Sequence, residues 1–168
     1  MIAVRRLNHA VLFVGDLARA VRFYGEVFGF EVVAREPGAD AAFLRSPFGD
    51  NHHDLGLFGV GPQAPGPERG RVGLYHLAWQ VDTIDELATA REVLAAYGAL
   101  RGESSHGATK SLYGADPDGN EFEVMWMLPR SAWGEFEHSA PVEPLDLGAE
   151  LERWSGYSTA GGDDEDAT

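Results

Sequence analysis

The chain carries one pattern twice, and that repetition limits its possible folds more than any other feature. Residues 7–14 alternate as a strand, with Asn8, Ala10, Leu12 and Val14 on one face and His9, Val11 and Phe13 on the other. Asp16 stands where a helix cap belongs. Leu17, Val21, Tyr24 and Phe28 then recur at three- and four-residue spacing, predicting a helix over 17–28 that Gly29 ends. Strands are expected over 31–35, 41–45 and 53–58, broken by Pro37-Gly38 and by the turn Ser46-Pro47-Phe48-Gly49-Asp50. Residues 61–70, GPQAPGPERG, have no periodicity and read as a linker. Then the pattern restarts. Residues 73–81 form a strand, and Thr83 with Glu86 fits a capping box. A helix over 84–97 is expected to bury Ile84, Leu87, Ala90, Leu94 and Tyr97 before Gly98 stops it. A weak strand at 100–102 and a hairpin complete the second copy.

That hairpin is the most sharply written local structure. Its strands are 109–115 and 121–127, and Asp116-Pro117-Asp118-Gly119-Asn120 is its turn. Pro117 presets φ for a type I turn, and Gly119 accepts the left-handed conformation of a three-residue loop. Pairing Asp116 with Asn120 and counting outward sets Tyr113 opposite Glu123, on one face. Phe122, Val124 and Trp126 take the other face, which reads as core.

The predicted fold class is therefore α+β: two βαβββ modules forming a curved, mostly antiparallel sheet around a central cleft. The modules are 1–60 and 73–128, with residues 61–72 as linker. An arm follows over 129–155, anchored by Trp133 and Phe136 and ending in a short amphipathic helix at 145–154. Residues 156–168 read as a disordered acidic tail.

Composition removes several classes of function. Lys and Arg number 13 against 27 Asp and Glu, a formal net charge of −14, so nothing builds a basic stripe for nucleic acid. Cysteine is absent, which leaves any metal to His, Asp or Glu. No apolar run approaches membrane-spanning length, and the N-terminus has no signal-peptide pattern. A cytoplasmic protein is expected.

Laid on each other, the two copies match His9 with His76. Matching turn to turn and counting three residues on puts His53 on Glu123. The frame thus offers His9, His53, His76 and Glu123, all able to bind a metal. Singly, His9 or His76 is more simply a satisfied strand histidine, and Glu123 a solvated carboxylate on an open face. As a matched set they point to metal. Two His and one carboxylate leave coordination positions open for substrate and O₂, whereas four protein ligands leave less room and suit metal-assisted proton transfer. His52 falls on the opposite face, and His138 reads as surface.

The strands LNHAVLFV and LYHLAWQV and the run SLYGADPDGNEFEVMW together resemble the vicinal oxygen chelate superfamily of glyoxalases, bleomycin-resistance proteins and extradiol dioxygenases. The similarity covers about residues 5–129. NHHDLGLF, Tyr113 and the Ser-His-Gly run at His106 are similar to the single-domain catechol 2,3-dioxygenase branch. The resemblance implies Fe(II), with Mn(II) or another divalent metal as alternative, held by His9, His76 and Glu123. It implies a catechol-type aromatic diol and O₂ as substrates, His53 as acid–base residue, Tyr113 orienting the substrate oxygen, His106 in substrate binding, and a homodimer or higher homo-oligomer. His106 lies closer to Tyr113 than in the larger two-domain enzymes. The competing expectations are a metal-dependent lyase or isomerase of glyoxalase type, with a carboxylate as fourth ligand, and a metal-free small-molecule-binding resistance protein.

Overall fold

A computed structural model describes residues 1–159 and divides into two compact units, Met1–Gly73 with Asp116–Asn120, and Leu74–Ala115 with Glu121 onward. The first holds β1 (Ala10–Val14), α1 (Leu17–Phe28), β2 (Glu31–Glu36), β3 (Ala41–Arg45) and β4 (Leu55–Gly59). The second holds β5 (Leu77–Gln80), α2 (Ile84–Ala96), β6 (Leu100–Ser105), β7 (Thr109–Ala115) and β8 (Glu121–Met127), followed by α3 (Leu147–Trp154). Their sheets have the same order, β1-β4-β3-β2 and β5-β8-β7-β6, with one parallel pair each, β1 with β4 and β5 with β8. The mixed α+β class and the βαβββ repeat are as expected.

Local chemistry explains the elements. Asp16 accepts from the Arg19 N–H and starts α1, and Gly29 ends it in the left-handed region at φ 70°. Thr83 and Glu86 make the reciprocal capping box of α2. In the first unit Leu12, Val14, Ala20, Tyr24, Leu44, Leu55 and Leu57 are buried; in the second Ile84, Leu87, Leu94, Leu112, Phe122, Val124 and Trp126 are. Tyr97 differs from expectation: it is half exposed. The helix has already ended at Ala96, and Ala99 takes the interior position just beyond.

The turn residues Asp116–Asn120 are knitted through one buried carboxylate. Asp116 Oδ1 accepts from the Asp118 and Asn120 N–H groups at 2.9 Å each, and Oδ2 from the Asn120 amide at 2.9 Å. The Tyr24 hydroxyl donates to Oδ2 at 3.2 Å, and Arg19 pairs with Asp118 at 2.5 Å. Burial, then the adjacent Asp116 charge, pushes the Tyr24 phenol well above its ordinary value.

The ladders set the true register of the repeat. Each sheet has an irregularity at the same place, between Val32 and Ala34 and between Leu100 and Gly102. Beyond it Phe43 occupies the position of Tyr113. Across the next strand Phe43 pairs with Gly56, as Tyr113 pairs with Glu123. On the parallel side Val11 meets Gly56 and Ala78 meets Glu123, so His9 and His76, each two residues earlier, remain equivalent. The expected match of His53 with Glu123 is corrected: Glu123 corresponds to Gly56. Ten residues (45–54) separate Leu44 from Leu55, but seven (115–121) separate Gly114 from Phe122. The first copy thus has three extra residues in this connection. β4 begins at Leu55, so His53 lies in the loop before it.

The arm contains two short 3-10 turns, Arg130–Ala132 and Gly134–His138. Its Trp133 indole donates to the Leu128 carbonyl at 2.8 Å. Further on, Glu143 bridges to Ser105 of β6. α3 is pinned by Lys110, a buried side chain that meets Glu150 at 2.7 Å and donates to Ser105 Oγ at 2.9 Å. The first residues of the segment expected to be disordered make bonds: the Gly156 N–H donates to Asp85 at 2.7 Å and the Thr159 N–H to Asp82 at 2.7 Å. The acidic run 163–166 lies outside the described residues.

Candidate functional site

In the second unit four predicted site residues stand together. Tyr113 and Glu123 are direct partners across β7 and β8, the pairing the turn predicts. His76, just before β5, brings Nε2 within 3.1 Å of Glu123 Oε2, and its ring lies edge-on to Tyr113 with centroids 5.8 Å apart. Two donors bound to one ion by bonds of about 2.1 Å at a right angle lie about 3.0 Å apart, so this spacing suits a shared divalent cation. Among the described residues, His76 Nδ1 is buried without a hydrogen-bond partner.

His106 Nε2 and the Tyr113 hydroxyl are 2.7 Å apart, and His106 Nδ1 is 2.8 Å from the Pro141 carbonyl oxygen. Burial first, then the Glu123 charge, raises the Tyr113 phenol above 10.0, so it stays protonated at neutral pH.

The first unit holds the other two. His9 and His53 have ring centroids 4.5 Å apart, and Phe43 meets His53 at 5.1 Å. A chain of amides fixes the His9 ring. Asn51 Nδ2 donates to the Asn8 and His53 carbonyls at 2.7 and 2.8 Å, so its Oδ1 must accept. Asn8 Nδ2 donates to that oxygen at 3.2 Å. Asn8 Oδ1 therefore faces His9 Nδ1, 2.8 Å away, and takes its proton, which leaves Nε2 as the free donor atom of His9. A ring held by its other nitrogen is how metal-binding histidines are oriented. Sequence reading missed Asn8, Asn51 and Pro141. The spacing NHH hints at Asn51, but nothing local points to a carbonyl 35 residues from its histidine.

His53 Nδ1 is 3.0 Å from His52 Nδ1. Desolvation first, then the His9 and His52 charges, lowers the His53 pKa from its ordinary 6.5, with Asp54 opposing. The imidazole is thus uncharged at neutral pH and can accept a proton. Within each unit, among the described residues, no three His, Asp or Glu side chains form a metal cluster.

Residues 6–124 match the model of the Glyoxalase/Bleomycin resistance protein/Dioxygenase superfamily. The chain belongs to that superfamily. Among curated members of this superfamily, it is 33% identical over 132 residues to the Catechol-2,3-dioxygenase of Bacillus subtilis (strain 168), covering 76% of this chain and 43% of that one. It is 37% identical over 127 residues to the Biphenyl-2,3-diol 1,2-dioxygenase 3 of Rhodococcus globerulus, covering 74% and 64%. The chain therefore spans less than two thirds of the length of these relatives. The superfamily fold also appears in the solved Lactoylglutathione lyase from Agrobacterium tumefaciens, with a TM-score of 0.57, 26% identity, and coverage of 74% of this chain and 96% of that one. Superfamily members similar to this chain thus include both dioxygenases and a lyase.

Proposed function

We propose that this superfamily member is an extradiol ring-cleaving dioxygenase that acts on a catechol-type diol with O₂ at a mononuclear Fe(II) site, with Mn(II) as the alternative ion. The ligand set in this reading is His9, His76 and Glu123. The observation that carries it is Gly56. The ladder position equivalent to Glu123 has no side chain, so that position brings no second carboxylate, and a four-ligand lyase site is disfavoured. Similarity to two diol dioxygenases supports the same choice.

A divalent ion held there supplies coordination positions for the two diol oxygens and O₂. The chain's own groups do the rest. Tyr113, protonated and next to Glu123, orients a substrate oxygen. His53, uncharged at neutral pH, accepts a proton from the diol and returns it as the ring opens. Both oxygen atoms enter the product, and one ring C–C bond beside the diol breaks. The reading includes a cytoplasmic, self-associating protein. No helix among the described residues is long and apolar enough to cross a membrane.

The test is anaerobic loading with Fe(II) or Mn(II), followed by a panel of catechols with oxygen uptake and the yellow ring-cleavage product as readouts. Uptake of one O₂ per diol with a yellow product is expected. Metal binding with isomerase or lyase turnover and no oxygen uptake would transfer the assignment to the glyoxalase class. Failure to bind metal at all would leave a metal-free binding protein.

A further inference from the structure

We propose that the C-terminal arm is a working part of the site: through the Pro141 carbonyl it fixes the tautomer of His106, and so decides which way the Tyr113–His106 hydrogen bond runs. A carbonyl oxygen can only accept. At 2.8 Å from His106 Nδ1 it requires the proton there. A neutral imidazole with Nδ1–H has an unprotonated Nε2, which can only accept. The hydroxyl of Tyr113, 2.7 Å from Nε2, is therefore the donor. Its proton is committed to His106, so towards the site face the phenol oxygen can only accept. Tyr113 then receives a hydrogen bond from a bound hydroxyl and does not offer one. Pro141 is a positioning residue, acting through His106.

The arm is built to hold that carbonyl in place. Glu143 exchanges two backbone bonds with Ser105, 2.8 Å and 3.0 Å, next to His106 in sequence. Ser104 Oγ donates to the Glu143 carbonyl at 3.1 Å. Phe136 lies over Gly107, where an added Cβ would sit 2.3 Å from its ring. The residues flanking His106 on both sides thus seat the arm. All of these groups belong to the second unit.

The consequence for substrate rests on the dioxygenase reading; the tautomer does not, so the two can fail separately. The experiment is nitrogen NMR of the ¹⁵N-histidine-labelled, metal-free full chain, which reports which imidazole nitrogen carries the proton. For His106 the expected result is a protonated Nδ1 and a bare Nε2. Tyr113→Phe should shift the Nε2 resonance alone. Ser104→Ala, which loosens the arm gently, and Glu143→Pro, which removes the bond to the Ser105 carbonyl, should each give a mixture of tautomers. In the loaded enzyme the arm variants should raise KM for the diol by about 3–10-fold, the worth of one hydrogen bond, with a smaller change in kcat. An Nε2–H tautomer in the unaltered chain overturns the proposal, and so does a tautomer that Ser104→Ala leaves pure in a folded protein. If Glu143→Pro fails to fold, the unaltered chain and Ser104→Ala decide. The expected tautomer in a chain that consumes no O₂ refutes the dioxygenase reading and leaves the positioning role standing.

Discussion

Gly56 holds in the first sheet the ladder position that Glu123 holds in the second: each pairs across to the same place on the neighbouring strand, Phe43 in one sheet and Tyr113 in the other. The repeat is symmetric in backbone and asymmetric in chemistry.

That asymmetry predicts unequal losses of metal. Glu123→Ala should abolish stoichiometric binding. Asn8→Ala, which frees the His9 ring without removing a ligand, should weaken binding by about 10–100-fold, as loss of a ligand's supporting hydrogen bond does. Calorimetric titration with Mn(II) gives both. Equal affinity in Glu123→Ala and the parent chain would remove Glu123 from the site.

The loop position of His53 predicts a separation of binding from turnover. His53→Gln should retain its full complement of metal while ring cleavage falls by about 10²–10⁴-fold, the range for losing a general acid–base group. Iron content and oxygen uptake are measured on one preparation. A variant that loses its iron makes His53 a ligand, and one with full activity has no need of it.

The Asp116 carboxylate accepts four hydrogen bonds and donates none. Asp116→Asn places an N–H₂ group among donors in a buried site, so a loss of about 2–3 kcal/mol is expected. Urea denaturation should show the midpoint falling with an unchanged slope. Stability equal to the parent would mean that the turn reorganises at no cost.

The contact between Asp85 and the end of α3 should depend on acid. The Ser155 hydroxyl and the Gly156 N–H both donate to its carboxylate and hold its pKa below the ordinary 3.8. The undocked state binds the proton more readily, so stability rises with pH across this window. The contribution is complete above about pH 3.8 and is lost as pH falls through the lower, docked value. Protection of the Gly156 amide, its exchange rate judged against the intrinsic rate at the same pH, should fall over that acid range in the parent chain. In Asp85→Asn it should show no such transition.

Much of this was legible in the chain because the turn chemistry is explicit. Pro117 and Gly119 fix the hairpin register, and with it the Tyr113–Glu123 pair. The caps at Asp16 and Thr83 fix both helix starts. The match of His53 to Glu123 went astray because Ser46-Pro47-Phe48-Gly49-Asp50 looks like Asp116–Asn120, while the return to the ladder takes three residues more than in the second copy. Turn composition marks where a chain reverses, not how many residues it spends returning. The Pro141–His106 contact was hidden for another reason. A backbone carbonyl has no residue type, so only the folded path of the arm reveals it.

The three additional residues between β3 and β4 have a consequence for how such a chain can change. His53 sits on them, clasped by the Asn51 amide, while the ladder on either side keeps the spacing of its twin. The acid–base role we propose for His53 would therefore rest on a removable part. Exchange of the segment between Arg45 and Leu55 could supply a different reactive side chain without shifting a single strand pairing. A duplicated scaffold that keeps its chemistry in an inserted loop can acquire a new reaction by local replacement, with the sheets inherited intact.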